Sequence, residues 1–140
     1  LASIIEKETG APQERPTISS VFHNRLKKKM RLQTDPTIIY GKALESKKIE
    51  INIKKSDILH PTPYNTYTIP GLPPGPIANP GKEALLAAVN PANSDYLFFV
   101  SMNDGTHVFT KEFKDHQSAV QKYQIDKKAR EGKSWRDLNK

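Results

Sequence analysis

Hydrophobic residues recur at helical spacing in the first nine positions, and this pattern predicts a helix over residues 1–9. Successive helical residues are rotated by about 100°, which places Glu8 close to the middle of the apolar stripe. The other members of the stripe are Leu1, Ile4 and Ile5. Glu6 lies roughly 160° from Glu8, beside Ser3 and Lys7. The pattern therefore predicts that Glu6 is solvated and that Glu8 points inward.

Two further helices are predicted in the N-terminal half of the chain. Thr17 is a candidate cap for the second helix. The apolar spacing of that helix is carried by Ile18, Val21, Phe22, Arg25 and Leu26. In "TDPTIIYGKAL", Asp35 is a candidate N-cap and Pro36 takes the first position of a third helix. Residues 42–55 are lysine-rich and predict a surface loop, either simply solvated or a binding patch. "KKSDILH" predicts one helical turn before Pro61.

Residues 61–81 contain seven prolines and three glycines, a composition that excludes a long helix or a central strand. The stretch is nevertheless too apolar for a disordered linker. Its large apolar side chains are Tyr64, Tyr67, Ile69, Leu72 and Ile77. We therefore expect a stiff, ordered loop that packs through its own side chains. Long ordered loops in compact domains are more often functional than not.

The C-terminal half mixes helical and strand patterns. Asn79 and Pro80 are expected to start a helix, for which Asn79 is a cap candidate. The predicted inward residues of this helix are Ala84, Leu85, Ala88 and Val89. "YLFFVS" and "HVFT" predict two strands, and "NDGT" between them predicts the turn of a hairpin. A last helix is expected over 113–131, followed by a polar tail at 132–140.

The face predicted for this last helix consists of Phe113, Val120, Tyr123 and, at its edge, Gln124. The order of elements is helices, a rigid loop, a helix, a hairpin and a helix. This order predicts an α+β fold dominated by helix.

Composition narrows the class of protein. The 140 residues are 36% hydrophobic and 26% charged, which fits one soluble globular domain. The net charge of +7 suits a polyanionic partner such as nucleic acid, an anionic membrane face or an acidic wall polymer. The chain has no cysteine, which excludes disulfides, thiol catalysis and cysteine-based zinc sites. It opens in an apolar helical pattern without an initiator Met, and we expect it to be a fragment of a longer protein.

An inward carboxyl group at Glu8 has a chemical consequence. Loss of hydration disfavours the charged form and raises the pKa of a carboxyl group. A glutamic acid that stays protonated near neutral pH can act as a general acid. The alternative is structural, with Glu8 acting as a cap or pairing with a buried arginine such as Arg25 or Arg31.

Four stretches of the chain, taken together, resemble one known family. They are "LASIIEKETG", "RLQTDPTIIYG", "YNTYTIPGLPPGPIANPG" and "YLFFVS" with "HVFT". In this order they resemble the catalytic domain of the MltG (YceG-like) endolytic murein transglycosylases, over residues from about 1 to 125. The resemblance implies a mainly helical, lysozyme-like catalytic domain, here assigned to residues 1–131. It implies no cofactor.

The resemblance also implies a substrate and a location. Members of this family are bacterial enzymes that cut peptidoglycan glycan strands between N-acetylmuramic acid and N-acetylglucosamine, leaving a 1,6-anhydromuramyl end. They are held in the cytoplasmic membrane by one N-terminal helix, with the catalytic domain on the extracytoplasmic side. Cell-wall synthases are possible partners. This chain would then be the C-terminal piece of such a membrane-anchored protein.

The resemblance extends to individual residues. The apolar helix ending in Glu8 and Thr9 is similar to the Glu-Ser element of lytic transglycosylases and goose-type lysozymes, with Thr in place of Ser. It implies that Glu8 is the catalytic acid and then the base. The candidate substrate-binding residues are Gln33, Thr34, Asp35, Tyr64, Asn65 and Tyr67. Tyrosines stack on sugars, and amides bind sugar hydroxyl groups.

Structural alternatives stay open for several of these residues. Asp35 could cap a helix, Tyr64 and Tyr67 could pack the loop, and Asn65 could bind backbone in a turn. The four histidines are scattered and show no metal-ligand spacing. Two other functions also remain open: a hydrolase that uses water, and a non-catalytic binding module. A nucleic-acid partner is disfavoured, since the basic residues are dispersed and no nucleic-acid-binding motif is found.

Overall fold

The computed structural model describes residues 1–125, which form helices followed by a hairpin and a last helix. The elements are α1 (Ala2–Glu8), a 3₁₀ turn (Pro12–Glu14), α2 (Arg15–Lys27), α3 (Asp35–Ser46), α4 (Lys55–Leu59), α5 (Lys82–Val89), β1 (Phe98–Ser101), β2 (His107–Thr110), α6 (Phe113–Val120) and a π-helical turn (Gln121–Ile125). The two strands pair antiparallel. The prediction of a mainly helical α+β fold is confirmed.

The core lies where α1, α2 and α5 meet. Its buried residues are Ile4, Ile5, Ile18, Phe22, Leu32, Ile77, Ala84 and Ala87. Burying one such large side chain stabilises the fold by about 1.5–3 kcal/mol. The ring of Phe22 meets the edge of Phe99 with centroids 5.8 Å apart, which ties the hairpin to the helices. The apolar spacing predicted for α1 and α2 is confirmed by this burial.

The polar side of α1 differs from the prediction. Ser3 is buried, and its hydroxyl accepts a hydrogen bond of 3.0 Å from the Ile77 N–H. Glu6 is half-buried, since it accepts a bond of 3.1 Å from the Gly81 N–H and pairs with Arg15 at 3.4 Å. The prediction of a solvated Glu6 was wrong, because the end of the 61–81 loop folds over this side of α1, whereas Lys7 is exposed as predicted.

Three helix starts also differ from the predictions. The second helix begins at Arg15, so Thr17 lies inside it and does not cap it. The N-cap residue of α3 is Thr34, with φ −107° and ψ 123°, so Asp35 is the first helical residue. α5 begins at Lys82, after the exposed Asn79. A proline in the first turn explains where α2 and α3 begin, because the fixed φ of proline already suits a helix.

The predicted face of α5 is confirmed for Ala84, which is buried, and for Ala88, which packs against the core, but it was wrong for Leu85 and Val89. Ala84 and Ala87 are buried, whereas Leu85 and Val89 are 51% and 74% exposed. The bond from Ile77 to Ser3 keeps the residues before α5 in the loop, and the helix starts later than its apolar pattern suggests. Small alanines then make the contact with α1 and α2.

The lysine-rich stretch is only partly a loop. α3 continues to Ser46, and the C-cap residue that follows, Lys47, has φ 59°. The predicted helical turn before Pro61 is confirmed as α4. Lys42 is not free, because its ammonium pairs with Glu50 at 2.7 Å and with Asp57 at 3.1 Å. These pairs hold α4 beside the second half of α3.

The loop at 61–81 contains no helix or strand, as predicted. It packs into the molecule through Thr62, Asn65, Thr66 and Ile77, all buried. The hairpin prediction is confirmed, with Asn103 at φ 66° and Gly105 at φ 91° in the turn.

The last helix is shorter than predicted within the described residues. α6 ends at Val120 and passes into the π-helical turn, and Phe113 is 58% exposed. The rest of the predicted helix, and the tail at 132–140, lie outside the described residues. Among residues 1–125 no helix combines the length and the apolar character needed to cross a membrane.

Candidate active site

Glu8 is the last residue of α1, where the chain leaves the core. Thr9 follows in an extended conformation, with φ −138° and ψ 140°. Its buried hydroxyl accepts a hydrogen bond of 2.9 Å from the Ala11 N–H. The hydroxyl of the Glu-Thr element therefore ends the helix and fixes the turn, and Glu8 finds its own partner elsewhere.

That partner is Thr34, the residue before α3. The Thr34 hydroxyl donates a short hydrogen bond to Glu8 Oε1. Thr34 is only 2% exposed, so its hydroxyl is held in one place. Because Thr34 donates to only one of the two carboxyl oxygens, the second oxygen of Glu8 remains available to a ligand.

Pairing of Glu8 with an arginine, the structural alternative, is not what the structure has. Arg25 is buried, and its Nε and Nη1 donate to the Leu97 and Arg31 carbonyls at 2.6 Å and 2.8 Å. Arg31 donates to the Tyr67 carbonyl at 3.3 Å. Both guanidinium groups thus bind backbone oxygens, and Glu8 lacks an ion-pair partner among residues 1–125.

Burial determines the protonation of Glu8. Desolvation raises the pKa of Glu8 to about 7, the hydrogen bond from Thr34 opposes this rise, and the negative charge of Asp35 adds to it. Both protonation states are therefore populated near neutral pH. A group that must first give and then take a proton needs this balance.

Asp35 and Tyr67 form a second pair beside Glu8. The Tyr67 hydroxyl donates to Asp35 Oδ1 at 2.6 Å. Desolvation raises the pKa of Tyr67, and Asp35 raises it further, so the phenol stays neutral and keeps its proton as a donor. Asp35 is exposed and Tyr67 is half-buried. Because the Asp35 carboxylate accepts this bond from Tyr67, its side chain does not cap α3.

Gln33 stands at the open edge of this group. Its side chain is exposed and its φ is 51°, in the left-handed region that few non-glycine residues adopt. Its N–H donates to the Thr66 carbonyl at 3.2 Å. Backbone strain of this kind tends to collect at functional sites.

The other two sugar-binding candidates have structural partners. Asn65 is 1% exposed, its amide donates to the Ile58 and His60 carbonyls at 3.0 Å and 2.8 Å, and its oxygen accepts from the Tyr67 N–H at 2.9 Å. Tyr64 packs its ring edge on Tyr40 with centroids 4.8 Å apart. This geometry favours the alternatives of turn bonding for Asn65 and loop packing for Tyr64.

Sequence reasoning missed two residues beneath the site, Thr37 and Thr66. Both are fully buried and bond to the backbone of Thr34. A signal was available, because each is a β-branched hydroxyl residue within a stretch that carries candidate site residues, "TDPT" and "YNTY". Pattern alone could not bring the two stretches together.

Two other features lie apart from these residues. An apolar cleft of about 340 Å³ is bordered by Leu1, Leu72 and Leu85. Its lining does not include Glu8, Thr34, Asp35 or Tyr67. Across residues 1–125, no group of three or more histidine, aspartate or glutamate side chains is arranged to hold a metal ion.

Comparison with known proteins relates these residues to a family. The YceG-like family matches residues 1–122. The endolytic murein transglycosylase of Bacillus subtilis (strain 168) is 46% identical over 123 residues, covering 88% of this chain and 33% of that protein. The enzyme of the same name from Streptococcus pneumoniae (serotype 2, strain D39) is 33% identical over 122 residues, covering 86% of this chain and 22% of that protein.

A solved structure supports the same assignment. The crystal structure of a YceG-like protein from Listeria monocytogenes matches with a TM-score of 0.77 and 43% identity, over 84% of this chain and 38% of that chain. The chain spans about a third or less of the length of the curated relatives above. The matches confirm the resemblance found in the sequence, and the chain belongs to the YceG-like family.

Proposed function

We propose that this chain carries the catalytic site of an endolytic murein transglycosylase, with peptidoglycan glycan strands as its substrate. The observation that carries the proposal is the state of Glu8, which is desolvated, free of any cationic partner among the described residues and bonded to a single hydroxyl. The names of the relatives support the reaction class.

The proposed reaction uses one carboxyl group in two roles. Glu8 first donates its proton to the oxygen that links C1 of N-acetylmuramic acid to the next N-acetylglucosamine, and the C1–O bond breaks. The Glu8 carboxylate then takes the proton of the muramyl C6 hydroxyl, whose oxygen bonds to C1 of the same sugar. The products are a 1,6-anhydromuramyl end and a free N-acetylglucosamine hydroxyl. No water is consumed, and Glu8 ends protonated.

The nucleophile in this reaction belongs to the substrate, so proximity does not depend on a second protein acid. Positive charge still develops at C1 before the new bond forms. We propose that Asp35, fixed by Tyr67, stabilises this charge. Thr34 orients Glu8, and the exposed Gln33 binds the glycan. In this proposal Tyr64 and Asn65 shape the loop that holds Tyr67.

The wider setting follows from the family resemblance. We propose that the whole protein is anchored in the cytoplasmic membrane of a bacterium, with residues 1–131 as its catalytic domain on the extracytoplasmic side. There it would release or terminate nascent strands made by cell-wall synthases. The net charge of +7 would favour encounter with acidic wall polymers.

A hydrolase is the second candidate, because a second carboxylate, Asp35, acts on Glu8. Most glycosidases use two carboxyl groups, one of which can activate water. Digestion of purified peptidoglycan in ¹⁸O-water separates the two reactions. We expect unlabelled anhydromuramyl ends by mass spectrometry. Reducing ends carrying ¹⁸O would instead establish hydrolysis, and binding without cleavage would indicate a binding module.

A further inference from the structure

Three buried threonines form a closed ring of hydrogen bonds next to the candidate site. They are Thr34, Thr37 and Thr66, each 2% exposed or less. Thr34 and Thr37 belong to the start of α3, whereas Thr66 comes from the 61–81 loop. The ring therefore joins two parts of the chain that are 29 or more residues apart.

The direction of each bond in the ring can be assigned. The Thr34 N–H donates to Thr66 Oγ1 at 2.9 Å, and the Thr37 hydroxyl donates to the Thr34 carbonyl at 2.7 Å. The Thr37 and Thr66 hydroxyl oxygens are 2.8 Å apart. Because the 2.7 Å bond to the carbonyl takes the one proton of the Thr37 hydroxyl, the Thr66 hydroxyl is the donor between the two, in preference to its longer contact of 3.4 Å with the same carbonyl. The ring begins at the N–H of Thr34 and ends at its carbonyl.

The ring uses only the backbone N–H and carbonyl of Thr34, so the Thr34 hydroxyl remains available for a different hydrogen bond. A threonine in the N-cap position usually turns its hydroxyl to the backbone of its own helix. Thr34 makes no such cap, and its hydroxyl donates to Glu8. The neighbouring Gln33 is tied to the same place, since its N–H donates to the Thr66 carbonyl. Two consecutive backbone N–H groups are thus held by Thr66.

We propose that Thr66, with Thr37, is a positioning residue that holds the Thr34 hydroxyl on the Glu8 carboxyl group. Thr66 acts through Thr34 and needs no contact with substrate. The inference rests on the proposed function for its effect on catalysis, but its effect on Glu8 can be observed without any substrate. The charged and titratable groups that act on Glu8 are Asp35 and Tyr67, and neither is changed in the test.

The test compares Thr66→Val, which keeps the shape and removes the hydroxyl, with Thr66→Ser, which keeps the hydroxyl. The first readout is the ¹³C NMR titration of the Glu8 carboxyl carbon in glutamate-labelled protein. We expect Thr66→Val to move the Glu8 midpoint upward, because donation to the carboxylate weakens, and Thr66→Ser to restore it.

The second readout is the rate of peptidoglycan cleavage. We expect kcat to fall by about tenfold or more in Thr66→Val with little change in KM, and to recover in Thr66→Ser. If Thr66→Val does not fold, Thr37→Val replaces it, since this variant removes the bonds of Thr37 to the Thr34 carbonyl and to Thr66 but keeps the bond from the Thr34 N–H to Thr66. A folded valine variant with an unchanged Glu8 titration would overturn the inference. A parent protein that cleaves nothing would overturn the proposed function and leave the titration result standing.

Discussion

Glu8 combines two surroundings that act in opposite directions on its carboxyl group. Burial and the nearby Asp35 favour the neutral acid, while the Thr34 hydroxyl favours the carboxylate. The outcome is a pKa of about 7, near the value that general acid–base catalysis requires.

The activity should therefore depend on pH with a definite sign. The first step needs protonated Glu8, so we expect kcat/KM to fall as pH rises through about 7. Initial rates of anhydromuramyl formation between pH 5 and 9 provide the measurement. The pKa of Tyr67 is raised, so its phenol does not supply this limb. A rate that keeps rising to pH 9 would rule out Glu8 as the acid.

The same carboxyl group should make stability depend on pH. Its folded pKa of about 7 lies above the model-compound value of 4.5, so the folded state holds the proton more tightly. This contribution is fully present below pH 4.5 and is lost as pH rises through 7. Between pH 5 and 8 the loss is about 2–3 kcal/mol in the free energy of unfolding.

Urea unfolding at both pH values, in the parent and in Glu8→Gln, isolates this contribution. The amide does not titrate, so the variant should lose less stability on going to pH 8. Equal pH dependence in the two proteins would mean that Glu8 titrates normally in the folded state.

Helical phase predicted that Glu8, rather than Glu6, points inward, and the desolvation of the Glu8 carboxyl group agrees with that prediction. The stripe of Ile4 and Ile5 is short, but both are fully buried and fix the rotation of α1. The sequence could not predict that Thr34 donates to Glu8, because 26 positions separate the two residues. Asp35 was mistaken for a cap because the true N-cap is its direct neighbour.

At Gly41, α3 lies in close contact with the 61–81 loop. A Cβ atom there would collide with the Thr62 hydroxyl and lie 3.3 Å from Tyr64 Cβ. We expect Gly41→Ala to destabilise the fold by about 1–3 kcal/mol, since neither backbone can retreat freely. Thermal or urea unfolding measures this change.

Gly10→Ala is the matched control for Gly41→Ala. A Cβ at Gly10 would have nothing within 4 Å, and Gly10 does not need a positive φ. The two substitutions should therefore differ in stability. If both variants were equally stable, the close approach of α3 and the loop would be in error.

Glu14 and His107 form a largely buried pair that connects the hairpin to the 3₁₀ turn. Glu14 accepts the His107 N–H and bonds its Nδ1, both at 2.9 Å, and the two side chains are only 13% and 10% exposed. We expect Glu14→Gln to destabilise the protein by about 1.5–3 kcal/mol, the usual value of hydrogen bonds to a charged group. Amide hydrogen exchange at His107 should rise with it.

Glu45 and His60 form the same kind of pair at the surface, with both side chains more than half exposed. Glu45→Gln is thus the control, and a much smaller change is expected because solvent screens such a pair. Equal effects of the two substitutions would show that burial of the Glu14 pair does not matter.

The sequence predicted well those elements whose hydrophobic pattern matches the contacts that they make with neighbouring elements. The hairpin has apolar strands and a glycine turn, and its register follows from them. The face of α5 was only partly predicted, because its exposed Leu85 and Val89 are more hydrophobic than the alanines that it buries. Tertiary contacts with α1 and α2 required small residues there, and propensity could not show this.

At the scale of the whole molecule, the candidate site is made from three separate segments: the end of α1, the start of α3 and the middle of the 61–81 loop. The sequence predicted the structural class of each segment, helix for the first two and ordered loop for the third. Only the structure revealed that the loop packs over α1 and that Thr66 accepts a hydrogen bond from the Thr34 N–H. Both features depend on contacts between residues far apart in the sequence.

The central claim is that Glu8 performs the chemistry, and the neighbouring glutamate offers a matched comparison. Purified peptidoglycan is digested with the parent, with Glu8→Gln and with Glu6→Gln, and the products are identified by mass spectrometry. We expect anhydromuramyl ends from the parent and from Glu6→Gln, and a loss of at least about a thousandfold in Glu8→Gln. Anhydromuramyl products formed by Glu8→Gln at the rate of the parent would contradict the account.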